Sequence, residues 1–206
     1  MEMPETPQIY LITPSEFELS TFPDVLASVI DAHQVACVRL QMATRDEDKL
    51  SRAADALREV THARDIALVL SDHSVLADRL GLDGVHLSDA ARSVRDTRKL
   101  LGEGAIVGSF CGTSRHDGMS AGEAGADYVC FGPVAASALG DGSFAELDIF
   151  EFWSEVIEVP VVAEGGLDAA RIAQLTPFTD FFAFGDEIWQ AETPADRLGA
   201  LIEAMG

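Results

Sequence analysis

Two aspartates stand just beyond short apolar runs, Asp72 in "LSDHS" and Asp89 in "GVHLSDAAR". If those runs are neighbouring strands, the pair places two hard oxygen ligands at one rim. Mg²⁺ takes such donors together with phosphate oxygens, although Asp89 would serve equally as a cap for the next helix. Ser71 and His73 flank the first of them. In "ACVRLQMAT", residues 36–44, Arg39 and Gln41 share one strand face with Cys37, while Val38, Leu40 and Met42 share the other. An arginine there is either a contact for an anionic ligand or a buried charge that needs a partner. Arg115 and His116 adjoin in "SFCGTSRHDG", where His116 could act as general acid or base near neutral pH.

Gly165 and Gly166 in "VVAEGGL" and Gly185 in "FAFGDEIW" let backbone N–H groups approach a phosphate, and a helix N-terminus adds positive potential. Ordinary turns would use the same glycines. Glu164, Asp186 and Glu187 flank them and would repel a phosphate unless a metal or an ion pair neutralised them. His86 lies inside an apolar run and reads as a core residue. Cys111 is a nucleophile only if a base adjoins it.

The elements that must position these residues alternate regularly. Strands are predicted at Ile9–Thr13, Ala36–Gln41, Ala67–Leu70, Gly84–Leu87, Ala105–Phe110, Tyr128–Phe131, Val159–Ala163 and Phe181–Phe184. Helical patterns fall near 24–34, 46–62, 74–80, 91–101, 117–124, 146–155, 168–174 and 194–204. Gly102 closes a last turn carrying Arg98 and Lys99, and Asp168 is placed to cap the helix after it. Repeated β-then-α units without a linker predict an α/β chain folded as one (β/α)₈ TIM barrel over residues 1–206. An open doubly wound sheet is the alternative, but the first βα turn, "LITPSEFE", has no GxGxxG. In a barrel, helices cover the apolar strand faces. Arg39 and Gln41 then point inward and upward, and the residues after each strand gather at one end. The Gly/Ala/Ser loop "FGPVAASALGDGS" suits a flap over that end.

Net charge is −21, with 14 basic against 35 acidic residues, which excludes nucleic acid and anionic membrane as partners. The two lysines, Lys49 and Lys99, fall in helical stretches, so a Schiff-base lysine at a strand end is excluded too. Three widely spaced cysteines without CxxC, and an acidic start that lacks signal-peptide order, predict reduced thiols and a cytoplasmic protein.

"GLDGVHL" (81–87), "AGADYVCFGPV" (124–134) and "PVVAEGGL" (160–167) resemble, in order and spacing, the thiamine phosphate synthase and thiazole tautomerase family. The similarity runs from "IYLIT" to "GDEIW". It implies a barrel whose synthase members join a pyrimidine diphosphate to a thiazole phosphate, releasing pyrophosphate with Mg²⁺. A pyrimidine cation develops as pyrophosphate leaves, so the chemistry wants basic groups and metal on the leaving group. The resemblance makes Asp72 a metal aspartate. The second family aspartate falls at Ala91, two residues beyond Asp89.

Other positions depart from the family's residues. Arg39-Leu40-Gln41-Met42-Ala43 stand where synthases carry Gln-Leu-Arg-Glu-Lys, and "ASALG" replaces the flap's Thr-x-Thr-Lys. Glu164 precedes the two glycines in place of isoleucine, and Gly185-Asp186-Glu187 replaces a small, hydroxyl-bearing phosphate loop. The tautomerase histidine falls near Thr113, a few residues before His116.

The expected function is therefore a synthase-like transferase of thiamine biosynthesis. In it Asp72 and Asp89 hold Mg²⁺ and Arg115 and His116 act on the reacting groups. Arg39, Gln41, Ser71, His73, Glu164, Gly165, Gly166, Gly185 and Asp186 bind phosphorylated heterocycles. An isomerase using His116 or Glu164, and a non-catalytic phosphometabolite-binding barrel, are the alternatives on the same fold. A homo-oligomer is compatible with all three.

Overall fold

The computed structural model describes residues 6–136 and 142–206. The centre of the expected flap, residues 137–141, lies outside them. Eight strands close a parallel barrel in chain order: β1 Gln8–Ile12, β2 Val35–Leu40, β3 Ala67–Ser71, β4 Gly84–Leu87, β5 Ile106–Phe110, β6 Tyr128–Phe131, β7 Val161–Glu164 and β8 Phe181–Phe184. Helices α1 Phe22–Ala32, α2 Glu47–His62, α3 Ser74–Leu80, α4 Val94–Leu101, α5 Arg115–Ala124, α6 Leu147–Val156 and α7 Ala169–Leu175 cover it. A short α8, Asp186–Trp189, and then α9, Pro194–Ile202, follow β8. The barrel, not the open sheet, is the fold.

Local chemistry explains the boundaries. Asp46 caps α2 by accepting from the N–H groups of Asp48 and Lys49, and Leu50, Ala53, Ala54 and Leu57 fall on its buried stripe. Asp168 caps α7 through the Arg171 N–H, as its sequence position predicts. Ser114 caps α5 through the Asp117 N–H, so that helix starts two residues earlier than its apolar pattern suggests and takes in Arg115 and His116.

The lower rim carries a recurring device. Asp83, Asp127 and Asp180 each stand one residue before an even-numbered strand, and each accepts the first or second N–H of the preceding strand. The bonds run from Leu68 (2.8 Å), Val107 (2.7 Å) and Val161 (2.8 Å). These carboxylates fix the register of β3, β5 and β7 at the face opposite the strand C-termini. In barrels that face serves stability, not catalysis.

Period-two alternation divides the core. Leu11, Val38, Leu40, Leu68, Leu70, Val129, Phe131, Phe182 and Phe184 pack outward under the helices, while Tyr10, Cys37, Val69, Tyr128, Cys130, Val162 and Ala183 fill the barrel. The inner layer depends on one glycine. Gly108 is in register with His86 on one side and Tyr128 on the other. A Cβ there would lie 2.0 Å from the Tyr128 ring. The missing side chain is the space through which Tyr128 reaches His86. Gly108→Ala is expected to destabilise the protein by about 3 kcal/mol, the range for overpacking a full core. A urea titration checks this, and a loss under about 0.5 kcal/mol, the size of an ordinary surface change, would contradict the packing described.

Candidate active site

Arg39 is the inner-face residue of β2 one step below the strand end, and only 2 % of it is exposed. Its Nη2 donates to Glu164 Oε2 at 2.7 Å and its Nη1 to His86 Nε2 at 2.6 Å. Glu164 is 1 % exposed and belongs to β7 itself, not to the loop where the strand prediction left it. The alternation that turns Val162 inward turns Glu164 inward too. Since a guanidinium only donates, His86 Nε2 must accept, and the proton sits on Nδ1, 2.9 Å from the Tyr128 hydroxyl. Tyr128 in turn meets the Tyr10 hydroxyl at 2.7 Å. One hydrogen-bonded chain thus crosses the barrel from β7 through β2, β4 and β6 to β1.

Burial sets the protonation states along this chain. Desolvation, then the adjacent Arg39 charge, holds His86 well below the ordinary histidine range. Burial works against the Arg39 charge, but Glu164, and beyond it the groups of Tyr10, Cys130 and Tyr128, raise its pKa above the usual arginine value. Burial pushes Tyr10 and Tyr128 well up as well. The thiols follow: burial takes Cys37 up to about 12 and Cys111 up to about 11. Thiols held that high are poor nucleophiles.

Of the clefts at the strand C-termini, two adjoin above this floor. The larger, about 880 Å³, is lined by Gln41, Arg45, Ser71, Asp72, His73, Ser88 and Asp89 among others. The smaller, about 260 Å³, lies over Thr13, Gly165, Gly166, Gly185, Asp186 and Glu187. Arg39, Gln41 and Glu164 line both. Asp72 adopts a left-handed backbone, φ 61°, and its carboxylate oxygens accept from the Ser88 N–H and hydroxyl, each at 2.8 Å. Asp89 accepts from the Ser93 hydroxyl through Oδ2, while its Oδ1 is buried without a partner among the described residues. Gln41 accepts from the Ser71 hydroxyl at 3.2 Å. Among the described residues no group of three or more His, Cys, Asp or Glu could hold a metal ion.

The structure thus brings Arg39, Gln41, Ser71, His73, Glu164, Asp72 and Asp89 to one cleft, and Gly165, Gly166, Gly185 and Asp186 to the adjoining one. It leaves Arg115 and His116 apart. Both lie in the first turn of α5 and line neither cleft. His116 is exposed, and Arg115 pairs with Asp148 and stacks on Phe152 at 4.9 Å. Sequence reasoning missed Tyr10 and Tyr128, although their inward strand positions were the available signal. It also missed Arg45 on the rim of the large cleft. Glu187 was noted only as a flanking charge, yet its carboxylate fills the glycine corner. Oε1 accepts from the Gly166 and Leu167 N–H groups at 3.1 and 3.2 Å, and Oε2 from the Gly185 N–H at 2.8 Å.

Comparisons with known proteins agree with this architecture. The family model described as thiamine monophosphate synthase matches residues 9–180. A thiamine-phosphate synthase from Rhodospirillum centenum is 40% identical over 184 residues, covering 88% of this chain and 89% of that protein. One from Erythrobacter litoralis is 37% identical over 194 residues, covering 91% of each. Among solved structures, thiamine phosphate pyrophosphorylase from Pyrococcus furiosus superposes with a TM-score of 0.81 at 20% identity, covering 96% of each chain, a likeness of fold.

The buried neutral His86 makes stability depend on acid. The folded protein leaves it unprotonated, whereas the unfolded chain protonates it below about pH 6.5, so acid favours unfolding through this group. Between pH 7 and pH 5.5 the wild type is expected to lose about 1 kcal/mol more stability than His86→Gln, measured by urea unfolding at both pH values. Equal losses would show that His86 titrates normally.

Proposed function

We propose a function from one premise: the chain belongs to the thiamine monophosphate synthase family. On this reading it is a transferase of thiamine biosynthesis that joins a pyrimidine diphosphate to a thiazole and releases pyrophosphate. The observation that carries it is the pair of clefts meeting over Arg39, Gln41 and Glu164. A reaction that joins two heterocycles needs two seats with a shared wall, so that the reacting atoms meet in a fixed orientation.

The large cleft takes the pyrimidine diphosphate. Asp72 and Asp89 fit a Mg²⁺ ion there. Asp89 keeps a buried oxygen without a partner, and each Asp72 oxygen accepts only one described bond, leaving lone pairs free. Two carboxylates plus phosphate oxygens and waters make an ordinary Mg²⁺ environment. Bound there, Mg²⁺ would neutralise charge on the departing pyrophosphate. Arg45 adds a side-chain cation at the rim, two residues beyond the Ala43 that stands at the family's lysine position. Gln41 uses its carbonyl on Ser71, which leaves its amide nitrogen to donate to a substrate. Arg39 faces the same space from below, and its ion pair with Glu164 keeps the floor close to neutral under the developing pyrimidine cation.

The test is product formation from pyrimidine diphosphate, a thiazole and Mg²⁺. Turnover is expected with Mg²⁺ and its loss with a chelator. Asp72→Asn and Asp89→Asn are each expected to lower kcat/KM by about 100-fold or more with the fold retained by circular dichroism. No product from the wild type at high enzyme concentration, with either thiazole alcohol or thiazole phosphate, would overturn the reading.

A further inference from the structure

The loops after the seventh and eighth strands of a barrel, with the start of a short extra helix, commonly form a phosphate seat. Here that corner is built and already filled from within. Gly166 has φ +75°, and a Cβ on it would stand 2.8 Å from the Ala135 carbonyl oxygen, so the loop needs glycine to present its N–H. The N–H groups of Gly166, Leu167 and Gly185 converge from two loops, and all three donate to the single carboxylate of Glu187. Bonds from N–H groups to an ionised acceptor are the strong kind. A phosphate would have to displace an anion that is tethered in place.

The charges around the cleft point the same way. Asp186, Glu187 and Glu164 line it against one cation, Arg39, whose Nη2 is committed to Glu164. With Glu187 in place, a phosphate would sit against its carboxylate and that of Asp186, whose like charge disfavours it. Yet the cleft has the marks of a ligand site. It spans about 260 Å³ and is walled by the hydroxyls of Thr13 and Ser15 and by Gln41 as well as by the glycine loops.

We propose that Glu187 is a specificity-determining residue, standing in for the phosphate so that the small cleft favours an uncharged, hydroxyl-bearing thiazole over its phosphate ester. This rests on the synthase reading above. The thiazole hydroxyl donates to Glu187 Oε2, which accepts a single N–H bond and keeps a lone pair, whereas Oε1 already accepts two. Joining the alcohol to the pyrimidine breaks the pyrimidine's C–O bond to pyrophosphate and forms a C–N bond to the thiazole ring nitrogen. The product then carries no phosphate.

Competition between the thiazole alcohol and its phosphate ester, with pyrimidine diphosphate and Mg²⁺, tests this. The wild type is expected to favour the alcohol in kcat/KM by at least ~10-fold, and Glu187→Ala to shift that ratio toward the ester by at least ~10-fold. Glu187→Gln keeps the size of the side chain and removes its charge. It is expected to shift the ratio in the same direction, which guards against a collapsed loop in the alanine variant. Binding of inorganic phosphate, followed by ³¹P NMR without any turnover, gives an independent reading of the corner. Glu187→Ala is expected to bind phosphate where the wild type does not. A wild type that uses the ester as well as the alcohol, or binds phosphate as tightly as the variants do, would overturn the proposal. If neither thiazole reacts in any variant, the synthase reading fails, while the phosphate-binding contrast still decides the role of Glu187.

Discussion

Arg39 and Glu164 face each other across the barrel interior at 2.7 Å, each almost wholly removed from water. Neither charge could be buried alone, because the cost of desolvating a lone ion in a protein interior is several kcal/mol. The pair therefore fixes where β2 and β7 place their inner faces, and it fixes the chemistry around it. Arg39 donates to His86 and so dictates its tautomer. His86 then donates to Tyr128, and Tyr128 can reach that partner only because Gly108 leaves the space for its ring. Removing one member takes a hydrogen-bond partner from each of its buried neighbours.

The same pair separates two functions of acidity in this molecule. Glu164 is paired with a buried cation and forms part of the floor. Asp72 and Asp89 face the large cleft with unfilled oxygen valence, as a cation site requires. Glu187 does a third thing, filling a ring of backbone donors that would otherwise attract an anion. On the proposed reading, three sets of carboxylates on one barrel end act as a structural partner, a metal donor set and a surrogate anion. The surrounding donors distinguish them, not residue type.

Much of the barrel was legible because its strands and helices obey simple periods and its caps use the expected residues. Gly84–Leu87, Tyr128–Phe131 and Phe181–Phe184 match the predicted strands. Asp83 and Asp127, inside two of the motifs that carried the family resemblance, serve strand register at the far face. Those motifs identify the fold better than they identify the chemistry. Arg39 and Gln41 were placed inward by alternation alone. Glu164 was assigned to a loop because an acidic residue before two glycines looks like the end of an apolar run. The neighbourhood of Arg115 and His116 depended on the Ser114 cap, which put them on a helix outside the clefts. The contact of Glu187 with Gly166 bridges 21 positions in the chain and follows no period, so no local pattern could reveal it.

The central claim is that the Arg39–Glu164 pair is an interdependent unit, and a double-mutant cycle on folding stability measures it. Arg39→Met and Glu164→Leu are each expected to cost about 3–5 kcal/mol, as breaking one side of a buried pair does. The double variant is expected to cost well below the sum, with a coupling of about 2 kcal/mol or more. Additive losses, with coupling inside about 0.5 kcal/mol, would contradict the account, because the two side chains would then contribute independently of each other.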